Sequence, residues 1–109
     1  MRSPEDRGGR SYQKALQLCA QVHDALSYAL GESSDPILMD LALDHVEPME
    51  GDRHVLVVVA DPCGHGLAAA LAALDRARGF LREAVAESVT RRRVPQLSFT
   101  VLPPPAEAR

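Results

Sequence analysis

The stretch Val55-Leu56-Val57-Val58-Val59-Ala60 limits the possible folds more than any other. Six consecutive apolar residues, four of them valine, fit a buried strand and little else. Arg53 and His54 precede it and Asp61 follows, so its ends are marked by charge. Unbroken apolarity of this length predicts a strand that is covered on both faces or lies at the centre of a sheet. Such a strand needs neighbours.

Two other stretches supply them. From Ile37 to Glu47, Met39, Leu41 and Leu43 alternate with Asp40, Ala42 and Asp44, which predicts a half-buried strand. Val46 breaks the alternation, as a bulge near His45 would. Pro48 to Asp52, containing Gly51-Asp52, reads as a hairpin connection between these two strands. Gln96 to Leu102 alternates again, with Leu97, Phe99 and Val101 against Gln96, Ser98 and Thr100, as a third strand.

A sheet with an apolar face needs helices. Tyr12, Leu16, Cys19, Val22, Leu26 and Ala29 recur at three- and four-residue steps and predict a helix from about Ser11 to Leu30, entered through a loose Gly8-Gly9 and ended by Gly31. Glu32 to Pro36 has turn chemistry, and Pro36 biases Asp35 toward an extended conformation. After the turn Asp61 to Gly66, Leu67, Leu71 and Leu74 mark a second helix, with alanines between them that allow close packing. Phe80, Leu81, Ala84, Val85 and Val89 mark a third, which ends in Thr90-Arg91-Arg92-Arg93 where cations complement the helix dipole. Val94-Pro95 stops it. Phe80 and Phe99 are expected in the core.

Gly79 falls between the second and third helices. A glycine inside a helical pattern costs ~1 kcal/mol relative to alanine, so its presence predicts a C-cap with positive φ or a close backbone contact. Arg76, Arg78 and Arg82 surround it. A break that turns helix N-terminal amides outward beside guanidinium groups is a seat for phosphate; the structural alternative is a capped helix end with solvated charges.

Charge is segregated along the chain. The net charge of −3 alone would argue against a nucleic-acid partner, but it averages unlike segments. Residues 1–14 carry Arg2, Arg7, Arg10 and Lys14 against Glu5 and Asp6, giving +2. Residues 32–61 carry eight acids against Arg53 alone, giving −7, and residues 76–93 carry six arginines against Glu83 and Glu87, giving +4. One basic face meeting an anion, with an acidic face pointing away, is the arrangement this predicts.

Several functions are disfavoured. The two cysteines, Cys19 and Cys63, are not a close-spaced zinc or redox pair and are expected to be reduced and structural. Cys19 and His23 stand four apart without further ligands, so no metal is expected. Cys63 and His65 lie two apart in a glycine-rich turn that offers no third group to orient a base, so a catalytic role is not expected; a small enzyme built on Cys63, His65 and His54 is the remote alternative. No stretch approaches the ~20 apolar residues of a membrane span, and Met1 to Arg10 lacks the apolar centre of a signal peptide, which predicts a soluble cytoplasmic protein. With 109 residues, one domain is expected, spanning 11–102 between a flexible N-terminus, 1–10, and a Pro-rich tail, 103–109.

The order helix, strand, strand, helix, helix, strand predicts an α+β domain with three helices on one face of a three-stranded sheet, the order of a type II KH domain. KH domains grip nucleic-acid backbone with a GxxG loop between two helices. This chain has no GxxG; Ala77-Arg78-Gly79 stands at that junction. Asp35-Pro36, Val46-Glu47, Ala77-Arg78-Gly79-Phe80-Leu81-Arg82 and Arg91 to Arg93 followed by Val94-Pro95-Gln96-Leu97-Ser98-Phe99 together resemble the ribosome-binding factor A family, from about Arg10 to Leu102. That bacterial family has a KH-like fold in which an Ala-x-Gly kink replaces GxxG.

The resemblance implies a non-enzymatic assembly factor without cofactor or small-molecule substrate. Its partner would be the maturing small (30S) ribosomal subunit, contacted at its 16S rRNA near the decoding region and the 5′-end helix. Late rRNA maturation and growth in the cold are the processes it would support. Nothing in the sequence suggests an obligate dimer, so a monomer is expected. By the same resemblance Ala77, Arg78 and Gly79 match the kink, Arg82 follows it, and Arg91, Arg92 and Arg93 match the basic end of the next helix. Met49-Glu50-Gly51-Asp52 departs from the family's Ser-x-Asp-type turn, and residues 103–109 offer no counterpart to the charged extension of many members. The alternative, from another class, is a KH-like protein-interaction module that has lost RNA binding and uses its acidic hairpin region.

Overall fold

A computed structural model describes residues 4–49, 54–89 and 94–103, with side chains from Gln13 onward. Along the chain run α1 (Pro4–Glu32), α2 (Pro36–Met39), β1 (Ala42–Pro48), β2 (His54–Ala60), α3 (Leu67–Arg76), α4 (Arg78–Ser88) and β3 (Gln96–Leu102). The turn residues 50–53, Arg91, Arg92, Arg93 and the tail from residue 104 lie outside the described residues, as does the side chain of Tyr12.

The apolar run is the central strand. β2 pairs antiparallel with β1 and parallel with β3, in the order β1-β2-β3. Val55, Val57 and Val59, each 1% exposed, face the helices together with Leu43 and Val46 of β1 and Leu97, Phe99 and Val101 of β3. The opposite face is turned to solvent at Asp44, His45, Glu47, Gln96, Thr100 and Leu102. Val58 is nevertheless buried there, flanked by its register partners His45 and Thr100, which explains why β2 is apolar on both sides. The expected bulge is present: Leu43 pairs with Val59 and His45 with Val58, so Asp44 is the extra residue.

Among the described residues four helices cover the other face, one more than expected. Ile37 to Met39, read from sequence as the start of a strand, form the single turn α2, and β1 begins only at Ala42. Asp35 is its N-cap, with Oδ1 accepting from Ile37 N at 3.0 Å and Leu38 N at 3.3 Å, and Pro36 occupies the first helical position. Asp35 is extended as expected (φ −74°, ψ 119°), but an extended residue before proline is also the geometry of an N-cap. Met39 is left exposed.

Helix α1 starts at Pro4, not at Ser11, and continues through Gly31 to Glu32. Proline followed by Glu5 and Asp6 favours a helix start there, outweighing Gly8-Gly9. Its buried face is Leu18, Cys19, Val22, Ala25, Leu26 and Ala29; Leu16 is exposed. In α3 the phase also differs from expectation. Ala70, Ala73 and Leu74 are buried while Leu67 and Leu71 point outward, because only alanine at these positions leaves room for the helix to lie against the sheet.

The turn before α3 is fixed by a buried acid. Asp61, 2% exposed, accepts from His65 N at 3.0 Å and Gly66 N at 2.9 Å, and these bonds hold its carboxyl below the usual carboxylate range, Gly66 contributing most. Gly66, the residue before α3, has φ +103°. Nothing lies within 4 Å of the space a Cβ would take, so only the backbone conformation demands glycine there. Gly66→Ala should therefore lower folding stability by about 1–2 kcal/mol, read as a reduced midpoint in urea denaturation with unchanged slope. An unchanged midpoint would refute the assigned conformation.

Candidate nucleic-acid interface

The joint between α3 and α4 is one residue long. α3 packs on β3 and α4 on α1, and the chain changes element at Ala77 (φ −92°, ψ 3°). Ala77 N donates to Ala73 O at 3.1 Å and Leu81 N donates to Ala77 O at 2.8 Å, so hydrogen bonding is carried across the break. The first N–H groups of α4 have no partner within α4, as at any helix start, and no side chain caps them.

Gly79 differs from both sequence-based expectations. It is not a C-cap with positive φ but the second residue of α4, and nothing lies within 4 Å of where its Cβ would be. The kink is made by Ala77, and Gly79 leaves an open gap on the surface beside it.

The arginines are held unequally. Arg76 reaches back to α2, its Nε and Nη2 donating to Asp35 Oδ2 at 3.2 and 2.9 Å. Arg78 donates from Nε to Asp75 Oδ1 at 3.4 Å, and its guanidinium lies 5.9 Å from the centroid of the Phe99 ring. Arg82 is exposed and forms no ion pair among the described residues. Thus Arg76, Ala77, Arg78, Gly79 and Arg82 stand together on one joint, with two of the three charges already partnered. An open cleft of about 320 Å³ beside them is lined by Glu32, Ser33, Ser34, Asp35, Arg76, Ala77 and Phe80.

Phe80 is not in the core. It is 45% exposed, because α4 buries the row Leu81 and Val85 instead. With Tyr28, 72% exposed, it borders a groove of about 250 Å³ between α1 and α4 whose rim carries Glu32, Glu83 and Glu87. This aromatic pair could not be read from sequence, since Tyr28 and Phe80 come together only when α1 and α4 pack. Phe99 does pack against the core as expected.

Elsewhere, His45 on the open sheet face lies between Glu47 Oε2 and Asp44 Oδ2, each at 2.6 Å, and these two carboxylates raise its pKa, Glu47 more. His54 contacts Ser98 Oγ at 2.6 Å at the start of β2, whereas Cys63 and His65 follow its end roughly 20 Å away, so these three residues form no common site. Cys19 is buried, which pushes its thiol up. Among the described residues no helix is long and apolar enough to cross a membrane.

A mixed three-stranded sheet, covered on one face by helices in the order of a type II KH domain and lacking GxxG at its helix-helix joint, defines a KH-like module. No protein-family model and no curated protein matches the chain. Among solved structures, the crystal structure of ribosome-binding factor A from Thermus thermophilus is 31% identical, with alignment over 80% of this chain and 94% of that one and a TM-score of 0.68. A homology model of the Thermus thermophilus factor, fitted into the cryo-EM map of a 30S-RbfA complex, is 32% identical over 83% of this chain and 94% of that one, with a TM-score of 0.60. The chain belongs to the ribosome-binding factor A family.

The Asp35-Arg76 contact has a measurable signature. Hydrogen bonds from Arg76, then from the backbone N–H of Leu38, hold the Asp35 carboxyl below its ordinary value. A depressed folded-state pKa contributes stability at pH above the unfolded value, and this is lost as pH falls through the folded one. Asp35→Asn should lower the Tm at pH 7 and flatten its decline below about pH 4, where the unfolded wild-type chain takes up a proton that the folded carboxylate still resists. Adding Arg76→Ala should lower the Tm less than it does alone. Full additivity would show that the two side chains do not interact in solution.

Proposed function

We propose that the chain is a non-enzymatic assembly factor that binds the free small (30S) ribosomal subunit through its 16S rRNA and promotes late maturation of that RNA in the cytoplasm, acting as a monomer. The observation that carries this reading is the likeness to the factor fitted into the 30S-RbfA map, which spans nearly all of that protein. The working unit is residues 11–102. Its contact surface is the α3–α4 joint, Arg76, Ala77, Arg78, Gly79 and Arg82, extended by Arg91, Arg92 and Arg93.

Within this reading the residues take different parts. Arg76 holds the joint in place through Asp35, and Arg78 has its guanidinium above the Phe99 ring, 5.9 Å from the centroid. Arg82 has its charge to spare for phosphate. Gly79 leaves room for RNA backbone to approach the first amides of α4. Shape of the structured RNA, more than base stacking, supplies selectivity, since the chain has only two tyrosines and two phenylalanines.

The second reading, a protein-interaction module, draws on the acidic sheet surface at Asp44 and Glu47. It expects association that survives RNase.

Sedimentation with purified 30S subunits separates these readings. Arg82→Glu should weaken binding and reduce the slope of log affinity against log salt by about one, with the fold intact. Gly79→Ala should raise folding stability by about 0.5–1 kcal/mol, because alanine is the better helix former, while weakening subunit binding. If both variants bind like the wild type, the joint is not the contact surface. If the wild-type protein does not sediment with small subunits, the assignment to assembly fails.

A further inference from the structure

We propose that Asp40, Cys63 and His65 form a zinc-binding site that fastens α2 to the turn preceding α3. Asp40 is remote in sequence from the other two, and the fold brings one ligand atom of each residue to within 4.8 Å of the others. His65 Nε2 and Asp40 Oδ2 are already 2.9 Å apart. Tetrahedral zinc, with bonds of about 2.0–2.3 Å, requires ligand atoms roughly 3.3–3.7 Å from one another, so the His65–Asp40 pair opens by about 0.5 Å, exchanging its hydrogen bond for the metal, and Cys63 closes by at most about 1 Å, both within reach of exposed side chains.

The backbone holds the ligands on one side. Cys63 and His65 flank Gly64, whose φ of +71° lets the turn reverse between them. Gly64 N donates to Asp61 O at 3.1 Å, and the buried Asp61 carboxylate holds His65 N and Gly66 N, so the turn is rigid below the exposed side chains. Asp40 comes from the C-cap of α2, where its own N–H is bonded to Ile37 O at 3.0 Å. None of the three ligands depends on a flexible stem longer than an imidazole.

The donor set selects the metal. A thiolate sulfur, an imidazole nitrogen and a carboxylate oxygen together suit zinc, whereas magnesium and calcium take oxygen ligands. Binding forms a Zn–S bond as Cys63 Sγ gives its proton to solvent, and His65 contributes the lone pair of neutral Nε2. One thiolate and one carboxylate then balance the two positive charges, and the fourth position is left to water. Cys19 is buried in α1 and does not compete.

The site lies at one end of a strap. α2 packs along α3, tied by Asp35 to Arg76 at the end of α3 and by Asp40 to His65 at its start. Metal at the second position therefore stiffens the element that positions the joint, and it stabilises the folded state through binding. This inference stands apart from the RNA-binding reading and does not rest on it.

Cobalt serves as the spectroscopic probe. Titrating the metal-free full chain with Co²⁺ should give near-ultraviolet thiolate-to-cobalt absorption that saturates at a single equivalent and is displaced by Zn²⁺. Zinc, but not magnesium, should raise the Tm. Cys63→Ser should abolish the absorption, and His65→Gln and Asp40→Asn should each weaken binding by more than the ~10-fold typical of losing an outer-shell partner. Circular dichroism of each metal-free variant checks that it folds, and His45→Gln, on the open sheet face, should bind like the wild type. Absence of the absorption overturns the proposal. So does undiminished affinity in both His65→Gln and Asp40→Asn, which would mean that an exposed thiol alone takes the metal.

Discussion

The row of valines that β2 turns toward the helices governs the rest of this structure. Val55, Val57 and Val59 are each 1% exposed, and burying side chains of this size contributes about 1.5–3 kcal/mol apiece. Their cover must come from helices, because β1 and β3 occupy both edges of the strand. Since β3 runs parallel to β2, the chain has to cross back over the sheet between them. It does so with two helices that face different neighbours, α3 on β3 and α4 on α1. The change of direction falls between Arg76 and Arg78. A residue out of helical geometry is a small cost beside three buried valines, so packing places the joint at Ala77 and local preference only accommodates it.

Patterns of period two were legible in the sequence, and helix phases were less so. The central strand follows from its unbroken apolar run, and the bulge beside His45 and the inward positions of β3 from alternation that only one register can satisfy. Helix α3 shows where such reading stops. Leu67, Leu71 and Leu74 mark an apolar stripe, yet the sheet lies so close that Ala70 and Ala73, both 0% exposed, take the inner face. Hydrophobicity ranks side chains by their aversion to water and is blind to the distance available. At α2 the failure was one of degeneracy, since Asp-Pro announces a turn, an extended residue and a helix cap with the same backbone angles.

The candidate interface was legible as a set of residues and illegible as an electrostatic arrangement. Ala77, Gly79 and the arginines stand out in a linear reading because a glycine among helix formers is conspicuous. That Arg76 is bound by Asp35, 41 residues away, depends on α2 lying along α3, which no local pattern encodes. The Arg78 guanidinium over Phe99 likewise requires β3 to reach the joint. Phe80, assigned to the core by its apolarity, is turned outward because Leu81 and Val85 already fill the inner row. Each of these is a long-range consequence of packing.

Gly66 and Gly79 make an instructive contrast. The first has φ +103°, so the chain itself demands glycine. The second has helical geometry and, among the described residues, free space around it, where alanine would be favoured by roughly 0.5–1 kcal/mol, so no requirement within the described residues accounts for it. A glycine unneeded by the described part of the fold, on an exposed helix start beside an Arg82 that forms no ion pair among the described residues, is what the proposed contact would account for as a constraint from outside the chain. Close approach of a partner's backbone is the physical form such a constraint takes. The neutralised Arg76 fits the same reading, because a charge spent on Asp35 fixes the angle at which that surface is offered. The proposed contact therefore rests less on the number of arginines at the joint than on this division between those that build it and the one left free.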